Sequence, residues 1–329
     1  MNRVALLAAL VAVVSLTQPA AVGTAAAQTK FRLAHTVNTE DSMHLAMVEF
    51  AKKVAARTNN AVQIDIFPSG QLGNDVKVLE GVRLGTVDMV LGGNPFFSSF
   101  APEVNVLDLP YLFRDYEHVY KVVDGPVGTD LLRAVEKNGM KLIGVVEIGF
   151  RNITNNKRPV KTPGDVKGLK IRTTPNPAHL TAWRLLGANP VPMPFTEVYL
   201  ALKTGAVDGQ ENPVMLMHAM KFHEVQKYLS MTRHAYTAAH VVINLGKYQA
   251  LTPDQQKAMH ESVREAATWQ RKFNRDREGQ ALAAMKAAGV VVEENPDHEA
   301  FRKVVGEAVA EDYVKRFGRE TLEKIRNTR

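Results

Sequence analysis

The chain has 329 residues, with 41 lysines and arginines against 34 aspartates and glutamates, a formal charge of +7 and no cysteine. The lack of cysteine excludes disulfides, thiol chemistry and a lipid attached through cysteine. The basic excess is scattered, without basic runs interleaved with aromatics, which argues against nucleic-acid binding and favours the approach of anionic solutes.

The chain begins with Asn2 and Arg3, an uncharged apolar run over residues 4–16, and a more polar stretch ending in Ala25-Ala26-Ala27. This is the layout of a cleavable export signal, with cleavage expected after Ala27. The run is shorter than the roughly 20 residues of a bilayer span. Residues 31–34 then read as a strand, 43–57 as an amphipathic helix and 62–67 as an alternating strand, the start of an α/β pattern. About 300 residues after cleavage suit two domains of ordinary size.

Two segments echo each other: Arg83-Leu84-Gly85-Thr86-Val87-Asp88 and Lys203-Thr204-Gly205-Ala206-Val207-Asp208. Each reads as a helix end, a glycine cap and a strand start. Their sequels differ. Gly92-Gly93-Asn94-Pro95-Phe96-Phe97 offers Asn94 to a hydroxyl or carbonyl and a phenylalanine as an apolar wall, although paired phenylalanines are more often core. Gly209-Gln210-Glu211-Asn212-Pro213 is a dense cluster of hydrogen-bonding groups, costly in a core unless something binds there. The helix before it buries Val198, Tyr199, Leu200, Ala201 and Leu202 and ends at Gly205. Further cleft groups are His35, Asn38 and Glu40 after the first strand, with Tyr236 just before and His240 within a strand over about 237–245. For His240, ordinary packing is the competing reading.

Two arginines stand out. Gly168-Leu169-Lys170-Ile171-Arg172 alternates as a strand that Thr173-Thr174-Pro175 ends, so Arg172 lies near a strand's carboxyl end, where open α/β sheets bind ligands. A guanidinium offers a carboxylate two parallel donors, which lysine cannot. Arg151 follows the apolar run 142–146 and reads as another strand end. Finally, Thr252 or Pro253 opens a helix that Gly289 can close, about 36 residues and roughly 54 Å, enough to bridge two domains. The alternative is two helices broken near Gly279.

Residues 197–213 (EVYLALKTGAVDGQENP), with Gln71-Leu72-Gly73, DLPYLF at 108–113, KGLKIR at 167–172 and GANPVPM at 187–193, closely resemble the substrate-binding proteins of TRAP transporters, the tripartite ATP-independent periplasmic carriers of organic acids. The motifs occur in that family's order along essentially the whole mature chain. The resemblance implies an α/β two-lobe periplasmic binding protein fold, type II-like, with a ligand cleft between the lobes and a long helix spanning both. Domain I is expected at 28–148 plus 237–277, and domain II at 149–236 plus 278–329. In the family the arginine matching Arg172 grips the substrate carboxylate, an arginine is common at Arg151, and the residue matching Asn212 bonds the ligand. Gln210 and Glu211 can equally hold the loop.

The function so implied is capture of a small carboxylate in the periplasm and delivery to TRAP membrane subunits by a monomer without metal or cofactor. Sugar acids and dicarboxylates come first among ligands, with keto and aromatic acids behind. Sialic-acid-binding members place an acid and a further arginine where this chain has residues 92–97, so sialic acid is disfavoured. Two other classes compete. An exported enzyme lacks support, since no GxSxG, HExxH, Walker-type or GxGxxG motif is present and His218, His223, His234 and His240 match no common zinc spacing. An exported receptor serving a signalling partner shares every binding feature.

Overall fold

The computed structural model describes residues 28–329. The segment read as an export signal, 1–27, lies outside the described residues. The chain opens with β1 (Thr29–Ala34), α1 (Ser42–Arg57), β2 (Val62–Phe67), α2 (Asp75–Leu84) and β3 (Met89–Gly93). α1 starts where Asp41 accepts the Met43 N–H, and its helical spacing buries Met43, Ala46, Met47, Phe50 and Val54. Two 3-10 turns, Asn94–Ser99 and Pro102–Asp108, lead to α3 (Tyr116–Val123), α4 (Pro126–Leu132) and the long strand β4 (Met140–Asn155). There follow β5 (Lys170–Thr173), α5 (Pro177–Leu185), β6 (Asn189–Pro192), α6 (Val198–Thr204), β7 (Gly209–Asn212), α7 (Val214–Ala219) and β8 (Tyr228–Asn244). The chain ends with α8 (Leu245–Gln249), α9 (Pro253–Ala287), β9 (Val291–Glu293), α10 (His298–Phe317) and α11 (Glu320–Asn327).

The strands form one sheet in the order β2-β1-β3-β8-β4-β7-β5-β6, with β9 against β8. Two strands join its halves. β8 pairs with β3 through Ala239 to Ile243, while at its other end it faces the part of β4 that pairs with β7 through Asn152 to Asn155. Three register shifts bend the β4–β8 ladder, and Gly149 sits at one of them with φ 124°, a value that excludes most side chains. Arg151 therefore lies inside a sixteen-residue strand rather than at a strand end, because these bulges let β4 continue through the polar residues that seemed to stop it.

The internal echo is structural. Gly85 (φ 80°) and Gly205 (φ 72°) are the left-handed caps of α2 and α6. Asp88 then accepts the backbone N–H of Arg32 at 2.6 Å, and Asp208 that of Lys170 at 2.8 Å, so each copy ties down a neighbouring parallel strand. Within α6, Val198, Ala201 and Leu202 are buried as expected, but Leu200 faces solvent at 65% exposure.

α9 is one continuous helix of 35 residues, opened by a Thr252–Gln255 capping box with Pro253 in its first turn. It runs through Gly279 without a break, in open space where an added Cβ would meet nothing within 4 Å. It packs on α1 and β4 and also on α7, so it crosses both halves. The C-terminal helices also touch both: α10 packs on α5, whereas α11 packs on α4, and Arg114 and His118 bond its final carbonyls. Among the described residues no helix is long and apolar enough to cross a membrane.

Where β4 crosses α9, Gly144 is the only size that fits: a Cβ there would lie 2.4 Å from Val263 Cγ1. Gly144→Ala is expected to destabilise by about 1–3 kcal/mol, and Val263→Ala in the same chain to recover part of that loss. Calorimetry giving strictly additive losses would show that the two residues are not in packed contact.

Candidate functional site

Residues from both halves of the sheet line a cavity of about 40 Å³ between β1, β3, β5, β7 and α7. That is room for a few waters, so a larger solute needs the walls to part. One half contributes His35, Thr36, Asp75 and Phe96, and the other Arg172, Thr174, Phe195 and Asn212, with Arg151 and Thr237 from the crossing strands. A larger open groove runs between residues 109–114 and α10. Two of its arginines are paired within the protein, Arg302 with Glu299 and Arg326 with Glu307.

Arg172 is completely buried on β5, flanked by Gln210 of β7 and Val191 of β6. Its Nε and Nη2 donate to the Met193 carbonyl at 3.2 and 2.7 Å, and its guanidinium lies 5.8 Å from the centre of the Phe195 ring. Nη1 is buried with no partner. Burial lowers the guanidinium to about 10, with Glu211 opposing, so it stays charged at neutral pH. An unpartnered N–H on a buried cation is a strong donor awaiting an anion.

Arg151 differs. It donates to the Glu211 carboxylate, to the Glu211 carbonyl at 2.5 Å and to Thr237 Oγ1 at 3.4 Å. Glu211 also accepts from Thr173 Oγ1 at 2.8 Å and meets His234 Nε2 at 3.2 Å. Burial acts to raise the Glu211 carboxyl, but Arg151, His234 and His179 outweigh it and hold it well below the usual range. The pair is thus a self-neutralised ion pair in the cavity wall. Asn212 also lines the cavity, and its Nδ2 donates to Gln210 Oε1 at 2.7 Å, while Gln210 is itself held by Thr154 at 2.8 Å. Gln210 therefore fixes the orientation of Asn212.

Asp75 is the acid of the cavity. Asn74 caps α2, placing Asp75 in its first turn, where Oδ1 accepts from Thr36 Oγ1 at 3.0 Å and Oδ2 is buried and unpartnered. Burial raises its carboxyl to about 6, with Thr36 and Arg172 opposing. His35 pairs through Nε2 with His44 Nδ1 at 3.1 Å and leaves its Nδ1 unpartnered. Burial, then His44, lowers it to about 4, so at neutral pH it is uncharged.

Of the residues expected from sequence, Arg172, Asn212, Arg151, His35 and Phe96 meet in the cavity. The structure does not bring Asn94, Asn38, Tyr236 or His240 into its lining. Asn94 donates to Asp108 at 2.6 Å and to the Val104 carbonyl at 3.0 Å, and its Oδ1 lies 2.7 Å from His240 Nε2. Tyr236 packs edge-on among Phe113 and Phe150. Asn38 donates to the Ala219 carbonyl, Glu40 is exposed, and Phe97 packs against the His240 ring. Sequence reasoning missed Thr36, Asp75, Phe195 and Thr237. Strand parity was the available signal for Thr237: Thr237 and Ala239 line the cavity, so the alternate residues Tyr236 and His240 turn away. For Asp75 it was the Asn-Asp pair opening a helix directly after Gln71-Leu72-Gly73.

The cavity, shared between two halves joined by crossing strands, has the arrangement of a two-lobe solute-binding protein, and comparison with known proteins narrows this. The family model for bacterial extracellular solute-binding proteins, family 7, matches residues 33–316. The 2,3-diketo-L-gulonate-binding periplasmic protein YiaO of Escherichia coli is 42% identical over 86% of this chain and 87% of its own. The C4-dicarboxylate-binding periplasmic protein DctP of Rhodobacter capsulatus is 31% identical over 98% and 97%. A TRAP periplasmic solute-binding protein of Polaromonas, solved bound to D-erythronate, superposes with a TM-score of 0.89 at 35% identity, covering 92% of this chain and 99% of that one. The chain belongs to family 7 of the bacterial extracellular solute-binding proteins and is a TRAP solute-binding protein.

Behind the cavity, Asp108 collects donors from three directions: Asn94 Nδ2 at 2.6 Å, Asn176 Nδ2 at 2.9 Å and Thr237 Oγ1 at 3.2 Å. Burial nevertheless pushes its carboxyl up to about 7. The unfolded value is about 3.9, so the folded state holds the proton between the two values and the contribution of Asp108 to stability falls as pH rises through that window. The melting temperature of the wild type minus that of Asp108→Asn should therefore shrink between about pH 5 and pH 7 and then level off. A difference independent of pH would show that this carboxyl does not titrate there.

Proposed function

We propose that the chain captures a hydroxylated monocarboxylic acid, a sugar acid in preference to a dicarboxylate, and hands it as a monomer to the membrane subunits of a TRAP transporter. Residues 1–27 export it to the periplasm, and it catalyses no reaction itself. Its lobes are 28–148 plus 237–277 and 149–236 plus 278–329, with the C-terminal helices also bracing the first, and they close on the ligand.

The observation that carries this reading is the unpartnered, fully buried Nη1 of Arg172 in a cavity shared by both halves. One cation is free to take a carboxylate, because the charge of Arg151 is already answered by Glu211. Opposite it, the free Oδ2 of Asp75 accepts a hydroxyl well and repels a second carboxylate. The acids named for the Escherichia coli and Polaromonas relatives each carry one carboxylate on an oxygenated carbon chain. A dicarboxylate is the second reading, favoured by the unpartnered His35 Nδ1, but it needs His35 protonated, which burial and His44 oppose at neutral pH.

A thermal-shift and calorimetric series tests the choice. D-erythronate and longer aldonates should stabilise the protein more than succinate does. Arg172→Lys keeps the charge but loses the fork, and should weaken binding by roughly tenfold or more. Asp75→Asn removes the repulsion and should narrow the preference for hydroxy acids over succinate. Wild-type affinity in Arg172→Lys would remove the carboxylate clamp, and tighter binding of succinate than of any aldonate would establish the dicarboxylate reading.

A further inference from the structure

Asn38 lies between β1 and α1, outside the cavity, yet it makes a bond across the cleft. Its Oδ1 accepts the N–H groups of Glu40 and Asp41, both at 3.1 Å, so the amide is held in one orientation by its own turn. That orientation points Nδ2 at the carbonyl of Ala219, 2.7 Å away. Ala219 ends α7, whose last carbonyls have no partner within the helix. α7 begins two residues after Asn212 and supplies Leu216 to the cavity wall, while Val37, next to Asn38, lines the opposite wall. The two halves also meet at Gly70, where a Cβ would lie 2.9 Å from Thr196 Cγ2, and Thr196 adjoins the cavity residue Phe195.

We propose that Asn38 is a positioning residue that holds the cleft shut: it caps a helix of the opposite lobe and so sets how long the ligand stays, without touching the ligand. This rests on the reading that two lobes close around an acid. A bond between protein groups that forms only on closure stabilises the closed state against the open one and acts mainly on dissociation. It leaves the choice between ligands alone, because it contributes equally whichever acid is enclosed.

The test uses Asn38→Asp in the mature protein. The carboxylate keeps the acceptor that its own turn requires but loses the donor, and it sets a negative charge against the carbonyl end of α7. Dissociation of D-erythronate and of D-galactonate should become roughly 3- to 10-fold faster by stopped flow, with the ratio of the two affinities and the unliganded melting temperature unchanged. The chain has no cysteine, so spin labels on cysteines placed at the exposed Val76 of α2 and Leu200 of α6 report the distance between lobes. The closed population should be smaller in Asn38→Asp than in the wild type, with either acid and without one. Unchanged dissociation and unchanged closed populations would overturn the assignment, as would an altered affinity ratio, which would place Asn38 on the ligand. A wild-type distance that is the same with and without acid overturns the closing-lobe reading instead, and is distinguishable because it appears before any substitution.

Discussion

The buried guanidinium of Arg172 sets the terms for the rest of the site. Leaving a buried charge without its partner costs about 3–5 kcal/mol, and the protein supplies only part of what this one needs. The Met193 carbonyl takes two donors and the Phe195 ring covers the guanidinium, but Nη1 is left over. Among the described residues no carboxylate pairs with it. Glu211 is committed to Arg151, Thr173 and His234, and Asp75 is oriented by Thr36. An anion from outside would complete the set, which is the basis of the carboxylate clamp proposed for Arg172.

A second polar centre keeps that demand in place. Asp108 joins a 3-10 turn of the first half, the cap of α5 in the second and the crossing strand β8. Thr237 links it to Arg151, and Arg151 to Glu211. Such a network is rigid only when each member is satisfied, and Asn94 and His240 extend it, Asn94 bonding Asp108 and His240 bonding Asn94.

Much of this was legible in the sequence where local rules act alone. The glycine caps at Gly85 and Gly205, the capping box at Thr252 and the short strand carrying Arg172 follow from residue types and spacing. The destination of a polar side chain was not, because it depends on what arrives from distant segments. Asn94 meets Asp108, 14 residues on, and Asn38 meets Ala219, 181 residues on. β4 also hid its length: its apolar run seemed to stop before Arg151, and only pairing with β8 on one side and β7 on the other carries the strand through Glu147, Arg151 and Asn152. Burial of those residues is a tertiary property, and no local pattern announces it.

The internal echo explains how one scaffold presents two kinds of wall. Each copy ends a helix on a left-handed glycine and uses an aspartate to anchor the neighbouring strand, so both deliver the following residues to the cavity in similar fashion. After Asp88 come Leu91, Gly93, Pro95 and Phe96, an apolar wall beside Thr36 and Asp75. After Asp208 come Glu211 and Asn212, beside Arg151 and Arg172. The cation proposed to meet a carboxylate is thus on one half, and the groups proposed for the oxygenated remainder are on the other. A single charge-assisted hydrogen bond contributes around 1.5–3 kcal/mol, whereas micromolar binding needs about 8.2 kcal/mol. Neither half reaches that alone, so retention of a small acid depends on both walls meeting it at once.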